Sequence, residues 1–178
     1  MERVAGIFPG RVSVSRGQSA VRSAVSGDAT ALAALDCLVN TSGWTIDQFA
    51  DACSAESQSA ERALVVDFNG RPSGFVVYSR VLDEVCIHNI AVHPALQCSG
   101  FGQLLLAAML AQARDGGAAY CYLEVRESNL PARRLYERLG FNRDGVRKNY
   151  YPTATGREDA VLMSRVLTGR AGVWNERA

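Results

Sequence analysis

The sequence has few of the residues that build metal or disulfide sites. It contains two histidines in 178 residues, and none of its five cysteines forms a C-x-x-C pair. Recognised zinc-ligand spacings are therefore missing, so no metal ion is expected. An odd, scattered set of cysteines is typical of reduced thiols in a cytosol, which predicts a cytoplasmic protein without a disulfide framework.

A large excess charge and long apolar runs are also lacking. The formal net charge of +1 gives no overall attraction to nucleic acid or to an anionic membrane. No apolar run is long enough to span a bilayer, and the N-terminal stretch has no signal-peptide core. We therefore expect neither nucleic acid nor a membrane as a partner.

What is present suits one domain between two tails. Apolar residues make up 48% of the chain and charged residues 21%, as in ordinary globular proteins. Residues 1–19 show no clear hydrophobic period and predict a loose tail, for which an organelle-targeting segment is the alternative. Residues 20–167 form the predicted domain, and residues 168–178 a second tail.

Hydrophobic periods, caps and turns predict seven strands and four helices within this domain. The helices begin at Asp28, at Thr45, at Phe101, and at either Ser128 or Asn129. The buried face predicted for the first helix consists of Ala31, Leu32, Leu35, Leu38 and Val39. The predicted strands are Ala20–Val25, Ala63–Asp67, Gly74–Val81, Val85–Val92, Ala119–Val125, Asn142–Tyr151 and Ala160–Leu167.

Local signals mark the second helix and the first hairpin. Thr45 and Gln48 have the spacing of a capping box, and Trp44 and Phe49 that of a hydrophobic staple. A place for Trp44 at the border of a substrate pocket is the alternative. The dipeptide Asn69-Gly70 predicts a two-residue hairpin turn.

The strand Val85–Val92 changes phase in its middle. Val85 and Ile87 have one parity and Ile90 and Val92 the other, so strict alternation cannot place all four on one face. A β-bulge near residues 88–89 or burial on both faces would explain the pattern. A bulge would also free backbone groups of this strand for a ligand.

A glycine-led helix follows that strand and is the first candidate site. The spacing Gln97-x-x-Gly100-x-Gly102 places glycines at the helix start, where N–H groups without intrahelical partners favour phosphate binding. A tight turn that only needs small residues is the alternative. The loop lacks the Gly-Lys-Ser/Thr of a P-loop and the third glycine of a dinucleotide loop. The predicted buried face of this helix is Phe101, Leu104, Leu105, Ala108, Met109 and Ala113.

Several segments together resemble one enzyme superfamily. The glycine loop and the preceding NIAVHP resemble the acetyl-CoA loop of the GCN5-related N-acetyltransferases, the GNAT superfamily. The segments LEVRESN, LYERLGF and NYYPTATGREDA are similar to those of its RimI-type ribosomal-protein-alanine N-acetyltransferases. The resemblance implies an α/β (α+β) fold. Its mixed central sheet would have about seven strands and about four helices, with splayed parallel strands around the acetyl-CoA site.

The resemblance also implies roles for individual residues. Glu124 matches the general base of the family and Tyr136 its general acid, whereas a rim carboxylate and a packed core tyrosine are the alternatives. The stretch Asn149–Asp159 matches a region near the acceptor peptide. Within it, Tyr150 and Tyr151 suggest a firm wall for a short peptide, and acidic Glu158 and Asp159 would attract its cationic N-terminus, a solvated β-turn being the alternative. The residues matched to cofactor binding are Ile90, Ala91, Val92, Cys98, Ser99, Gly100, Phe101, Gly102, Gln103 and Asn129.

The implied activity is transfer of acetyl from acetyl-CoA, without a metal, to a protein N-terminus. The implied acceptor is the N-terminal alanine of small-subunit ribosomal protein eighteen. Lysine or small-molecule amines as acceptors, or a non-catalytic CoA-binding regulatory module, are the alternatives. The chain departs from the family at Cys98, where a basic residue is common, and at Ser99, where a longer polar residue is common. Backbone donors survive such changes, so cofactor affinity is affected more than reaction type.

Overall fold

The computed structural model describes residues 19–40, 43–54 and 59–167. The two predicted tails, apart from Ser19, lie outside these described residues. The helices are α1 (Ala29–Val39), α2 (Ile46–Cys53), α3 (Phe101–Asp115) and α4 (Leu130–Arg138). The strands are β1 (Ser19–Ser23), β2 (Glu61–Phe68), β3 (Arg71–Val81), β4 (Glu84–Val92), β5 (Tyr120–Arg126), β6 (Asn142–Thr153) and β7 (Gly156–Val166).

The seven strands form one mixed sheet in the order β1-β2-β3-β4-β5-β7-β6. β1 pairs antiparallel with β2, β2 with β3, β5 with β7 and β6 with β7. β4 and β5 are parallel, and α3 connects them, as the strand–helix–strand order predicts. The predicted class, a mixed sheet of about seven strands with about four helices, is confirmed.

The chain is divided into two compact units. The first contains the described residues up to Ser79 together with His88–Met109, and the second contains Arg80–Ile87 and the residues from Leu110 onward. α1 and α2 pack on the first unit's strands, where Phe49 of α2 meets Phe75 of β3 edge to face at 5.0 Å between ring centroids. Both rings are fully buried, so this pair lies in the core of the first unit.

Two local predictions for the first unit are confirmed. The Thr45 hydroxyl accepts from the N–H of Gln48 and the Gln48 side chain accepts from that of Thr45, which is a complete capping box. Trp44 contacts Phe49 with 5.6 Å between ring centroids, so the staple forms. Asn69 and Gly70 connect β2 to β3 with φ values of 52° and 73°, as a type I′ turn requires.

The buried face of α1 differs from the predicted one. Leu38 is 60% exposed, and Ala31 is also exposed. Asp28 precedes α1 as predicted, but its carboxylate makes no cap there. It accepts instead from the N–H of Val25 and from the guanidinium of Arg22. The buried residues of the helix are Ala29, Leu32, Ala33, Leu35 and Asp36.

Replacing Asp28 by asparagine should lower the unfolding free energy by about 2 kcal/mol at neutral pH, because hydrogen bonds to a charged group are lost. The Arg22 guanidinium holds the pKa of Asp28 below its ordinary value. The stabilisation is therefore present above the unfolded carboxyl pKa and is lost as pH falls through the folded pKa, so the deficit should shrink below about pH 4.

Urea unfolding at neutral and acid pH measures this dependence. The control is Asp51→Asn, which removes an exposed carboxylate from α2 and should change stability by less than about 0.5 kcal/mol. A deficit of the Asp28 variant that stays constant on acidification would contradict the assignment.

In the second unit, β5 is covered on one face only. Cys121, Leu123 and Val125 are buried, whereas Tyr120 and Tyr122 are each 37% exposed. The nearly continuous apolar run of this strand would be typical of cover on both faces, but the two tyrosines lie on a partly exposed face. Burial raises the pKa of the Cys121 thiol to about 12, so this cysteine packs in the core rather than acting as a nucleophile.

Two features of the second unit differ from what the sequence pattern favours. The turn between β6 and β7 comprises only residues 154–155, so residues 156–159, which lie outside the predicted strands, belong to β7. On α4, the buried side chain is Tyr136, while Leu135 and the following Leu139 are only half-buried. The helix therefore turns its tyrosine, rather than these leucines, into the core.

Candidate functional site

The last residues of β4 lie against a glycine of β3. A Cβ atom on Gly74 would lie 3.0 Å from the carbonyl oxygen of Ala91, which is closer than side chains normally approach. The N–H of His93 donates to the carbonyl of Ser73 at 2.9 Å. Glycine thus permits the close approach of two backbones that fixes the course of Ile90–Val92.

The change of phase in β4 reflects partial burial on both faces. Val85, Ile87 and Ala91 are buried and share one parity, whereas Ile90 and Val92 are half-buried on the other. Among the described pairs, β4 meets β5 in regular register only from Glu84 to Ile87. The backbone of residues 90–92 lies beyond that register, where its N–H groups could meet a ligand, whereas the Val92 carbonyl already accepts from the Gln97 side chain.

The glycine loop presents a run of unpaired donors. In the described chain, the N–H groups of residues 98–103 have no backbone acceptor, and the first helical bond runs from the N–H of Leu104 to the carbonyl of Gly100. Cys98 and Gly100 have φ values of 61° and 91°, which turn the chain so that successive N–H groups precede α3. Six consecutive donors with the positive end of a helix dipole form a cradle for a diphosphate.

The helix behind this loop begins where predicted but buries a rotated face. Leu104 is 40% exposed, whereas Leu106 and Leu110 are buried in its place. Phe101 is buried as predicted and packs edge to face on Phe68, with 5.7 Å between ring centroids. Gln97 ties the loop to β4 by donating from its side chain to the carbonyl of Val92.

A buried carboxylate that the sequence analysis missed supports β4 from α1. Asp36 is fully buried and accepts from the Asn89 side chain, the Asn40 side chain and the N–H of Trp44. Asn89 immediately precedes Ile90, so these bonds hold the start of the ligand-facing segment. The signal was present in the sequence, because Asp36 continues the helical spacing of Ala29, Leu32 and Ala33.

In the second unit, Glu124 lies near the end of β5 with its side chain 29% exposed. Its Oε1 forms an ion pair of 3.0 Å with Nη1 of Arg147 on β6. The Arg147 guanidinium also lies over the ring of Tyr150, 4.7 Å from the centroid. The candidate base is thus a partly accessible carboxylate held by one cation.

Tyr136 belongs to the same unit and lies inward from α4. Its side chain is 4% exposed, and burial raises the pKa of its phenol. A neutral phenol can donate its hydroxyl proton to a ligand atom. Burial and then the charge of Glu124 raise the pKa of Tyr151, and Tyr151 in turn contributes, after burial, to the raised pKa of Tyr136.

Asn129 caps the helix that carries Tyr136. Its side-chain oxygen accepts from the N–H of Ala132 at 3.2 Å, with Pro131 in the first turn, as predicted for this start. The cap leaves the amide NH₂ of Asn129 available. The predicted residues thus fall into two groups. The β4 end and the glycine loop belong to the first unit, and Glu124, Asn129 and Tyr136 belong to the second.

The acidic residues predicted to attract a cationic N-terminus are already neutralised. Glu158 forms an ion pair with Arg126 at 2.7 Å and accepts from the N–H of Ser128, and these bonds lower its pKa. Asp159 binds Lys148, which lowers the Asp159 pKa in turn. Both carboxylates lie in β7 rather than in a solvated turn.

Asp159 instead shapes the strand that faces it. β6 carries extra residues between Arg147 and Tyr151, opposite Asp159, and Asn149 there has a φ of 52°. Asp159 accepts from the N–H of Asn149, and Arg157 donates to the carbonyls of Asn149 and Tyr150. These side chains hold an irregular segment that presents Tyr150.

In the described ranges, no three His, Cys, Asp or Glu side chains are placed to hold a metal ion. No helix within those ranges is both long and apolar enough to cross a membrane.

Two bacterial enzymes are similar in sequence to part of this chain. The bS18-alanine N-acetyltransferase of Escherichia coli K12 is 47% identical over 96 residues, which are 54% of this chain and 65% of that protein. The Haemophilus influenzae enzyme of the same name is 48% identical over 100 residues, or 56% of this chain and 68% of that protein. The aligned stretch thus spans just under two thirds of the E. coli relative.

A solved structure extends the likeness over more of the chain. The crystal structure of the ribosomal-protein-S18-alanine N-acetyltransferase from E. coli has a TM-score of 0.78 and 34% identity, covering 87% of this chain and 97% of that one. The sequence profile of the acetyltransferase (GNAT) family matches residues 29–141, which include α1 to α4, the glycine loop, Glu124 and Tyr136. The chain belongs to the acetyltransferase (GNAT) family.

Proposed function

We propose that this protein transfers the acetyl group of acetyl-CoA to the N-terminal α-amine of a protein. The observation that carries the proposal is the run of six unpaired N–H groups at residues 98–103, directly before α3. Backbone donors at a helix start match the charge and the several acceptor oxygens of a diphosphate. The loop residues Cys98, Ser99, Gly100, Phe101, Gly102 and Gln103 would hold it.

The donors do not depend on the side chains that depart from the family. Cys98 is exposed and contributes its N–H whatever its side chain, as does Ser99, whose hydroxyl is 3.5 Å from the carbonyl of Gln97. The absence of a basic side chain at Cys98 removes one possible phosphate contact. Ile90, Ala91 and Val92 would bind the acetyl and pantetheine part through their backbones, and the Asn129 amide would add a contact.

Glu124 and Tyr136 would carry the proton transfers. Glu124 accepts the first proton of the acceptor ammonium, directly or through one water, and the neutral amine then attacks the thioester carbon. As the carbon–sulfur bond breaks, the Tyr136 phenol gives its proton to the leaving thiolate, and the second proton that the new amide nitrogen loses restores the phenol. A protein α-amine has a pKa of about 8 against about 10.4 for lysine, so a carboxylate base favours the α-amine at neutral pH.

The acceptor that we propose is ribosomal protein S18 with alanine at its N-terminus, in the cytoplasm. The names of the relatives from E. coli and H. influenzae support this choice. The partly exposed carboxylate of Glu124 and the half-exposed Tyr150 ring are groups of the second unit that an extended peptide could contact.

One assay tests the proposed function. The protein and acetyl-CoA are incubated with a peptide that begins with alanine and has one internal lysine, and fragment masses locate the acetyl group. We expect acetylation of the α-amine alone, and a peptide with a blocked N-terminus should remain unmodified. Labelling of lysine only would contradict the α-amine assignment, and CoA binding without any product would favour a regulatory module.

A further inference from the structure

In the second unit, the Arg147 guanidinium lies between the candidate base Glu124 and the ring of Tyr150 and contacts both. Arg147 makes an ion pair with Glu124 at 3.0 Å and lies 4.7 Å from the centre of the Tyr150 ring. Its side chain is 51% exposed, while that of Glu124 is 29% exposed. The cation therefore contacts the carboxylate from the solvent side, where an incoming ligand must also approach.

The neighbouring acidic groups have other partners. Glu158 is held by Arg126, whose guanidinium lies over Tyr151 at 4.5 Å, and Asp159 is held by Lys148. Each of these three carboxylates, Glu124 included, has its own cation. At Glu124, Glu158 or Asp159, a cationic acceptor therefore gains an ionic partner only by displacing the resident cation.

Arg147 is the cation that holds the candidate base, and its ion pair is partly exposed. An exposed ion pair contributes about 0.2–1 kcal/mol, so its loss costs little. The ring of Tyr150 offers the guanidinium a second partner once the carboxylate is taken. The irregular segment after Arg147 is held by Asp159 and Arg157, so Tyr150 remains in place while the arginine moves.

We propose that Arg147 is a positioning residue for Glu124, whose guanidinium occupies the place of the acceptor ammonium and is displaced by it. The inference rests on the proposed function, because Glu124 must be the acceptor-side base. In the acceptor-free protein, Arg147 orients the carboxylate. When an α-ammonium binds, the guanidinium leaves Glu124 and stays on Tyr150.

Arginine modification by phenylglyoxal, followed residue by residue with mass spectrometry, tests both steps. Glu124→Gln should accelerate modification of Arg147 about two- to fivefold, the factor expected for losing an exposed pair. In the wild type with CoA, adding a peptide that begins with alanine should accelerate modification of Arg147 by a similar factor. Arg126, paired with Glu158, is the internal control and should react at an unchanged rate in both cases.

Kinetics supply a second readout that a purely structural role would not change. Arg147→Gln should lower the peptide KM about two- to fivefold with kcat within about twofold, because no internal cation competes. Arg147→Lys keeps a cation and should restore the wild-type KM. Arg143→Gln is the matched control, since it removes the same charge from an exposed position on β6 and should leave KM unchanged.

The outcomes separate this inference from the proposed function. Unchanged modification of Arg147 in Glu124→Gln would show that no pair exists in solution and would overturn the inference. Peptide that protects Arg147, or a higher KM in Arg147→Gln, would overturn displacement by showing that the arginine contacts the acceptor. A third outcome is a wild type that acetylates no α-amine while Glu124→Gln still accelerates modification of Arg147. That result would refute the proposed function and the displacement of Arg147 by an acceptor, but it would leave the Glu124–Arg147 ion pair established.

Discussion

Replacing Glu124 by glutamine should lower kcat/KM for peptide acetylation about 100-fold at neutral pH, while the affinity for CoA stays unchanged. A positioned general base contributes about 10²- to 10⁴-fold, and the amide keeps the size of the side chain without accepting a proton. The substitution also leaves the Arg147 guanidinium without its carboxylate. That cation would repel an ammonium, so part of the loss should be a raised peptide KM.

The dependence of this loss on pH identifies the proton that Glu124 removes. An α-amine with a pKa of about 8 is already deprotonated at higher pH, so the deficit of the variant should shrink as pH rises through about 8 to 9. The matched control is Glu127→Gln, which removes an exposed carboxylate shortly after β5 and should keep wild-type rates. A deficit that is constant across this range, or none at all, would remove Glu124 from the role of base.

Replacing Gly100 by valine should weaken CoA binding about 100-fold. Gly100 has a φ of 91°, where a β-branched residue is strongly disfavoured, so the substitution must re-aim the N–H groups on either side of it. Hydrogen bonds to a charged group contribute about 1.5–3 kcal/mol each, and loss of two of them accounts for the factor. Calorimetry with CoA measures the change in Kd.

Two controls separate lost donors from a general loss of stability. Gly70→Val places the same side chain at a φ of 73° in the β2–β3 turn of the same unit, so it should lose similar stability but keep CoA affinity. Acetyl-pantetheine, which lacks the diphosphate, should support equal kcat/KM with the wild type and with Gly100→Val. If Gly100→Val lowered kcat/KM equally with acetyl-CoA and with acetyl-pantetheine, the loop would not be binding the diphosphate.

The strongest local signals in the sequence predicted structure reliably. The capping box at Thr45 and Gln48, the Asn69-Gly70 turn and the start of α3 at Phe101 all depend on residues close together in the chain. Their stabilising contacts form within a few residues, so no tertiary information is needed to predict them.

Which face of each helix is buried was predicted less well. On α3, Leu104 is exposed and Leu106 is buried, contrary to the predicted face. The spacing of apolar residues shows that one face of a helix is covered, but the rotation of the helix against its neighbours depends on the tertiary structure. On α4, Tyr136 is buried while Leu135 is only half-buried. Asp36 was missed although its spacing places it on the buried face of α1, because two of its partners, Trp44 and Asn89, lie outside that helix.

The sequence by itself determined the family, the order of strands and helices, and the glycine loop, because these follow from local spacing and from segments similar to known acetyltransferases. Only the tertiary structure decided which charges pair. Glu124 with Arg147 and Glu158 with Arg126 join residues more than twenty positions apart on different strands. Strand register brings such side chains together, and register depends on the whole sheet rather than on any one segment.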